Sequence, residues 1–117
     1  MDEILLVKHL IEIIEIAHKN GILQLEDYNV KTNKWLSHPI YSYCLKTILS
    51  GANIPEEVKL LRSRKELIII KGFELINNIK TNDYSIINIA NILGSMLKKP
   101  LLIYEYLDFP TNSEKSS

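Results

Sequence analysis

The sequence of 117 residues predicts an all-α fold, a compact bundle of about five helices. Apolar residues recur at intervals of three and four along most of the chain, which is the period of a helix buried on one face. Single glycines and prolines separate these stretches, as they do at helix ends. Hydrophobic residues make up 46% and charged residues 24% of the chain, enough apolar side chain for a core. We therefore predict one helical domain over residues 1–109, followed by a polar, disordered tail over residues 110–117.

The first predicted helix runs from residue 2 to residue 19 and has one narrow polar stripe. The stripe consists of Lys8, Glu12, Glu15 and Lys19, at steps of four, three and four. Nearly all other positions are apolar, so most of the circumference must be covered, either by the rest of the domain or by a second chain. Asn20 and Gly21 are residue types that end helices in a left-handed conformation, which predicts a stop there.

The middle of the chain predicts three further helices. A short second helix spans Ile22 to Tyr28, and a loop anchored by Trp35 and Leu36 follows it. The third helix begins at Pro39 and stops at Ser50-Gly51, since proline is well suited to a first helical turn. The fourth begins at Asn53-Ile54-Pro55-Glu56-Glu57, where two carboxylates meet the positive end of the helix dipole, and continues to Ile79. Gly72 is a possible kink or break within it.

The last predicted helix begins at Thr81-Asn82-Asp83, which are N-cap residue types, and ends at Lys98-Lys99 before Pro100. Residues 101–107 fit either a helix or a strand.

Composition argues against several classes of function. The 14 basic and 14 acidic residues cancel, so no basic field gathers phosphates and we expect no nucleic-acid partner. Cys44 is the only cysteine, which excludes an intrachain disulfide and fits a reducing compartment. No uncharged apolar stretch reaches 18 residues, and the acidic start Met1-Asp2-Glu3 is unlike a signal peptide. We expect a soluble, cytoplasmic protein without a membrane span.

No residue pattern indicates catalysis, a metal or a cofactor. His9, His18 and His38 have no partner at metal-ligand spacing, and each is expected to be a surface or half-buried side chain. Cys44 lies within an amphipathic helix without a flanking base and is expected to be a core residue. The four glycines are scattered, so no phosphate-binding loop is present. We therefore predict that the protein is not an enzyme and binds no cofactor.

Two segments resemble the cytoplasmic region of MotA-type flagellar stator subunits. The first is Ala17-His18-Lys19-Asn20-Gly21-Ile22-Leu23-Gln24-Leu25-Glu26, and the second is Leu45-Lys46-Thr47-Ile48-Leu49-Ser50-Gly51-Ala52-Asn53-Ile54-Pro55-Glu56-Glu57-Val58. Together with their spacing they extend the resemblance over about residues 10–66. It implies a surface that contacts the rotor's switch protein, with Glu26 as the rotor-facing acid. His18 stands where the family has arginine, and Lys19 is a possible substitute cation. The family's membrane spans have no counterpart here.

The resulting prediction is a protein-interaction module whose partner is a protein, with a flagellar motor or membrane-associated component as the candidate that the resemblance implies. The predicted partner-binding residues are His18, Lys19, Glu26, Arg62 and Arg64. A homo-oligomer is also expected, because the first helix is broadly apolar. A small helix-turn-helix DNA-binding regulator is the less favoured alternative, since Gly51 separates two helices but acidic residues lead the second.

Overall fold

The computed structural model describes residues 2–27, 34–78 and 85–98, and within these ranges every regular element is helical. The all-α prediction is therefore confirmed, as a compact bundle of five helices and two short 3₁₀ turns. The helices are α1 (Asp2–Asn20), α2 (24–27 in its described part), α3 (Pro39–Leu49), α4 (Arg64–Asn77) and α5 (Ile86–Gly94). The 3₁₀ turns are Lys34–Ser37 and Glu56–Lys59.

Helix α4 packs against α1, α3 and α5, and α1 packs against α4 and α5. The predicted stripe is confirmed, because Lys8, Glu12 and Lys19 are exposed and Glu15 is half-buried. Leu5 is exposed, and Ile4 and Ile16 are half-buried. Seven further apolar side chains of α1 are buried by the chain itself. They are Leu6, Val7, Leu10, Ile11, Ile13, Ile14 and Ala17. A second chain is not needed to cover this helix, so the predicted homo-oligomer loses the observation that motivated it.

Gly72 lies in the middle of α4, where the helix continues without a break. A Cβ atom at this position would lie 2.9 Å from both methyl carbons of Leu10. Leu10 is fully buried, so the absence of a side chain at Gly72 lets α4 approach α1 closely. The glycine that looked like a possible kink is thus a packing residue.

Three predicted helix boundaries are confirmed. Gly21 has a φ of 97°, and its N–H donates to the carbonyl of Ala17 at 2.9 Å, so it ends α1 as a left-handed cap. Pro39 occupies the first turn of α3, and the preceding His38 caps that helix by accepting from the Ile40 N–H at 3.3 Å. Helix α3 ends at Leu49, immediately before Ser50-Gly51.

The predicted start of the fourth helix is wrong. Pro55 begins only the 3₁₀ turn Glu56–Lys59, and α4 begins at Arg64. The reason is a capping box: the Ser63 hydroxyl accepts from the Glu66 N–H at 3.1 Å, and the Glu66 carboxylate accepts from the Ser63 N–H at 3.0 Å. Residues 50–63 therefore separate α3 from α4, far more than the three or four residues of a helix-turn-helix connection.

Helix α5 is shorter than predicted. It begins at Ile86, with the Ser85 hydroxyl accepting from the Asn88 N–H, and ends at Gly94, not at Lys98. The second helix also begins later than predicted, since residues 22–23 form a turn and the helix starts at residue 24.

Several predictions fall outside the described residues. They concern Tyr28, the loop at 29–33, Ile79, the cap at Thr81-Asn82-Asp83, the Lys99 end of the last helix, residues 101–109 and the tail at 110–117. Among the helices that are described, none combines the length and the apolar character needed to cross a bilayer.

Candidate functional site

The C-terminal end of α1 and the turn after it form an exposed surface, here called the α1–α2 ridge: His18, Lys19, Leu23 and Glu26. The left-handed Gly21 turns the chain so that Leu25 is fully buried while Leu23 remains 71% exposed. The three charged or titratable members of the ridge are exposed as well. Three of the five predicted partner-binding residues therefore lie around one solvent-exposed leucine.

Lys19 and Glu26 of the ridge are only weakly engaged by the residues that the structure describes. The Lys19 Nζ atom lies 4.0 Å from the Glu15 carboxylate, and its side chain is 70% exposed. Such an exposed pair contributes little to stability. The Glu26 carboxylate makes no hydrogen bond or ion pair with the residues that the structure describes. Along the chain, an exposed cation, Lys19, thus precedes the exposed Leu23, and an exposed acid, Glu26, follows it.

The other two predicted partner-binding residues serve the fold. Arg62 Nε donates to the Val58 carbonyl at 2.7 Å, and its guanidinium lies 3.7 Å from Glu66. Arg64 reaches Glu3 with two nitrogen–oxygen distances of 3.1 Å, one to each carboxylate oxygen. Glu3 is in the first turn of α1, a helix roughly 28 Å long at about 1.5 Å per residue. Arg62 and Arg64 are therefore at the opposite end of α1 from the ridge.

The loop before α4 exposes two adjacent leucines, here called the leucine tip: Leu60 and Leu61. Their side chains are 68% and 103% exposed. Leu61 has a φ of 56°, in the left-handed region that favours glycine or asparagine. The sequence had placed both leucines inside the fourth helix. The signal that could have excluded this is the pattern Ser63-Arg64-Lys65-Glu66, which matches a capping box and predicts a helix start after the leucines.

His9 belongs to a packed aromatic cluster inside the bundle. Its Nε2 lies 2.7 Å from the hydroxyl of the fully buried Tyr41, which in turn packs edge-on against Phe73 at 5.0 Å between ring centroids. Trp35 covers the other side, with its centroid 6.4 Å from that of His9. Burial lowers the pKa of His9 from 6.5 to about 4. The imidazole is therefore neutral at pH 7 and serves as a hydrogen-bonding core residue.

Cys44 is buried in α3, as predicted. Burial raises the pKa of its thiol from 9.0 to about 12, and the nearby Glu74 carboxylate adds to the increase. This environment opposes formation of the thiolate that a nucleophile needs. No group of three or more histidine, cysteine or carboxylate side chains comes together as a metal site in the ranges 2–27, 34–78 and 85–98.

A polar cleft of about 400 Å³ lies between α4 and the segment 53–59. Lys59 crosses it, with its Nζ 2.8 Å from Glu74 and 3.3 Å from Glu56, and these carboxylates raise the pKa of the lysine, Glu74 most strongly. Lys71 also lines the cleft. Two ammonium and two carboxylate groups balance one another here, so the cleft has no net charge by which to select an ion.

Comparison with protein-family models, with curated proteins and with solved structures found no match. The resemblance to MotA-type stator subunits therefore stays a prediction that rests on the two sequence segments.

Proposed function

We propose that the protein is a non-catalytic protein-interaction module that binds a protein partner through the α1–α2 ridge. The observation that carries this proposal is Leu23, 71% exposed and flanked by Lys19 and Glu26. An exposed leucine alone is ordinary on a protein surface. Here it stands between opposite charges that the fold leaves weakly engaged, and an apolar centre with a charged rim is the arrangement of a protein interface.

The order of charges on the ridge defines the partner's chemistry. A complementary surface has an apolar pocket for Leu23, an acidic side chain facing Lys19 and a basic side chain facing Glu26. The sequence resemblance suggests a particular candidate, the switch protein of the flagellar rotor, and with it the role of a soluble stator relative or motor accessory. A homo-oligomer has less support, because α1 is covered within the chain. A DNA-binding regulator has less again, since residues 50–63 do not form a helix-turn-helix connection.

The proposal is tested by photo-cross-linking in the cells that make the protein, with benzoylphenylalanine in place of Leu23. We expect one adduct with another protein. Lys19→Glu should weaken it, because the substitution puts like charges face to face across the interface. Lys8→Glu is the matched control, since it makes the same change of charge on the same helix away from the ridge, and it should leave the adduct unchanged.

Three outcomes would count against the proposal. They are the absence of an adduct, an adduct only with a second copy of the chain, and equal effects of Lys19→Glu and Lys8→Glu. The motor assignment has a separate test, the titration of the purified protein with purified rotor switch protein. If the two purified proteins do not bind, the motor assignment is wrong. The interaction module is still supported if the cross-linked adduct forms with a different protein.

A further inference from the structure

We infer that the leucine tip, Leu60 and Leu61, is a second docking site that inserts into an apolar pocket of a protein partner. The site is distinct from the α1–α2 ridge, because Arg64 binds Glu3 near the start of α1 while the ridge follows the end of that helix. The inference does not depend on the proposed function of the ridge.

Leu61 combines full exposure of its side chain with a left-handed backbone conformation. Its side chain is fully in solvent, at 103% exposure, so it gains nothing from packing. Its φ of 56° is unfavourable for any residue with a Cβ atom except asparagine and aspartate, which adopt it more readily. Folding alone would favour glycine or asparagine here. Leu61 is unfavourable in two ways, because its apolar side chain is in water and its backbone has a positive φ. Strained residues cluster at binding sites, so this leucine indicates a role in binding.

The neighbouring structure holds the leucine tip in place. On one side the Leu60 N–H donates to the Glu57 carbonyl at 3.2 Å. On the other side Arg62 Nε is bonded to the Val58 carbonyl, and Ser63 begins α4 through its capping box. The two leucines thus project from a loop fixed at both ends, which reduces the conformational entropy lost on binding.

The charges around the leucine tip favour a protein pocket over an anionic membrane as its binding partner. Residues 59–65 contain four cations and no acid, which by itself would suit a lipid surface. Three of these cations are neutralised by carboxylates of the fold. The pairs are Lys59–Glu74, Arg62–Glu66 and Arg64–Glu3. The fourth cation, Lys65, lies over the Trp35 ring, 5.5 Å from its centroid. A segment with one cation left without a carboxylate among the described residues fits an apolar pocket with a mixed polar edge better than an anionic surface.

A second copy of the chain is a poorer occupant than a different protein. Two tips packed against each other would bury little more than four leucine side chains, well short of the roughly 800 Å² per partner of a standard interface. A pocket in a larger partner can enclose both leucines and also contact the rim, which is how a few central residues come to dominate affinity.

The test uses benzoylphenylalanine in place of Leu61 in the full chain, in the cells that make it, with untagged competitor chains. The wild-type chain should compete for the adduct. Leu61→Gly and Leu61→Asn should compete about 30-fold less well, since loss of a central interface residue weakens binding by about that factor. Leu23→Asn is the matched control, an exposed leucine changed in the same way on the ridge, and it should compete like wild type.

A stability measurement separates binding from folding. Leu61→Gly and Leu61→Asn should melt at or above the wild-type Tm, because both residues accept the left-handed backbone. Four results would overturn the inference: no adduct; an adduct only with a second copy; equal competition by Leu61→Gly and wild type; or Leu61-dependent sedimentation of the purified protein with phosphatidylserine-containing vesicles. A lowered Tm for both Leu61 variants would also overturn it, because Leu61 would then stabilise the fold.

Discussion

His9 is a titratable side chain with a structural role. Its imidazole bonds the buried Tyr41 hydroxyl, and burial lowers its pKa to about 4. Sequence spacing excluded a metal ligand pattern at His9, but it gave no indication of Tyr41, which is 32 residues away along the chain. The role of such a residue depends on contacts between segments that are far apart along the chain. These contacts cannot be predicted from a single sequence.

We predict that His9 makes stability fall as the pH is lowered from about 7 to 4. In this range the unfolded chain binds a proton at His9, with a pKa near 6.5, that the folded chain does not bind. The loss is at most about 3 kcal/mol, from a pKa difference between 6.5 and about 4. Urea titrations at several pH values measure it, with His9→Gln as a hydrogen-bonding control that does not titrate. Equal pH dependence in wild type and His9→Gln would contradict the assigned role.

Cys44 gives a second prediction at this scale. With its pKa raised from 9.0 to about 12, the folded thiol at pH 8 should react with Ellman's reagent about a thousand-fold more slowly than the unfolded thiol. The rate should rise to that of the unfolded chain when urea unfolds the protein. Fast, stoichiometric reaction without denaturant would show that Cys44 is accessible and that α3 packs differently.

At the scale of elements, sequence predicted the helices better than their boundaries. Gly21 and Pro39 were informative because each forces or favours a backbone conformation regardless of distant contacts. The Pro55-Glu56-Glu57 pattern led to a wrong helix start, because it begins a turn but does not determine whether that turn continues as a helix. The competing capping box at Ser63 and Glu66 determined where α4 begins, and so exposed the leucine tip. The sequence contains two competing helix-start patterns, one at Pro55 and one at Ser63. The second of them predicts that the helix does not continue from residue 59 to residue 64.

The contact between α1 and α4 provides a test of an element pair. Gly72→Ala should gain about 1 kcal/mol from helix propensity and lose more from overlap with Leu10, for a net destabilisation of about 1 kcal/mol. In a Leu10→Ala background the overlap disappears, so the same Gly72→Ala substitution should be stabilising. Chemical denaturation of the four variants of this double-mutant cycle measures the coupling. Additive effects would show that the two residues do not touch.

At the scale of the whole molecule, the most exposed large apolar side chains of the described residues are Leu23 and the leucine tip, which lie near opposite ends of α1. Leu5, Tyr43, Ile87 and Ile92 are also exposed, to a smaller extent. Burial in the core accounts for 23 hydrophobic residues of the described ranges, seven of them on α1. It does not explain Leu23 or the leucine tip, which the fold leaves in solvent. The ridge was predicted from the sequence through a resemblance, whereas the leucine tip was not predicted. An exposed leucine cannot be told from a buried one in the sequence until the helix boundaries are known. Together the two surfaces suit a protein that contacts partners at both ends.

The most direct test of a two-ended interaction module is reciprocal cross-linking in the cells that make the protein. Benzoylphenylalanine replaces Leu23 in a chain that also carries Leu61→Asn, and replaces Leu61 in a chain that also carries Leu23→Asn. If the two surfaces are independent, each adduct persists when the other leucine is changed. Each adduct is weakened by a substitution at its own end, Lys19→Glu for the ridge and Leu60→Asn for the tip. The absence of adducts at both positions, with the chains folded, would contradict an interaction module altogether.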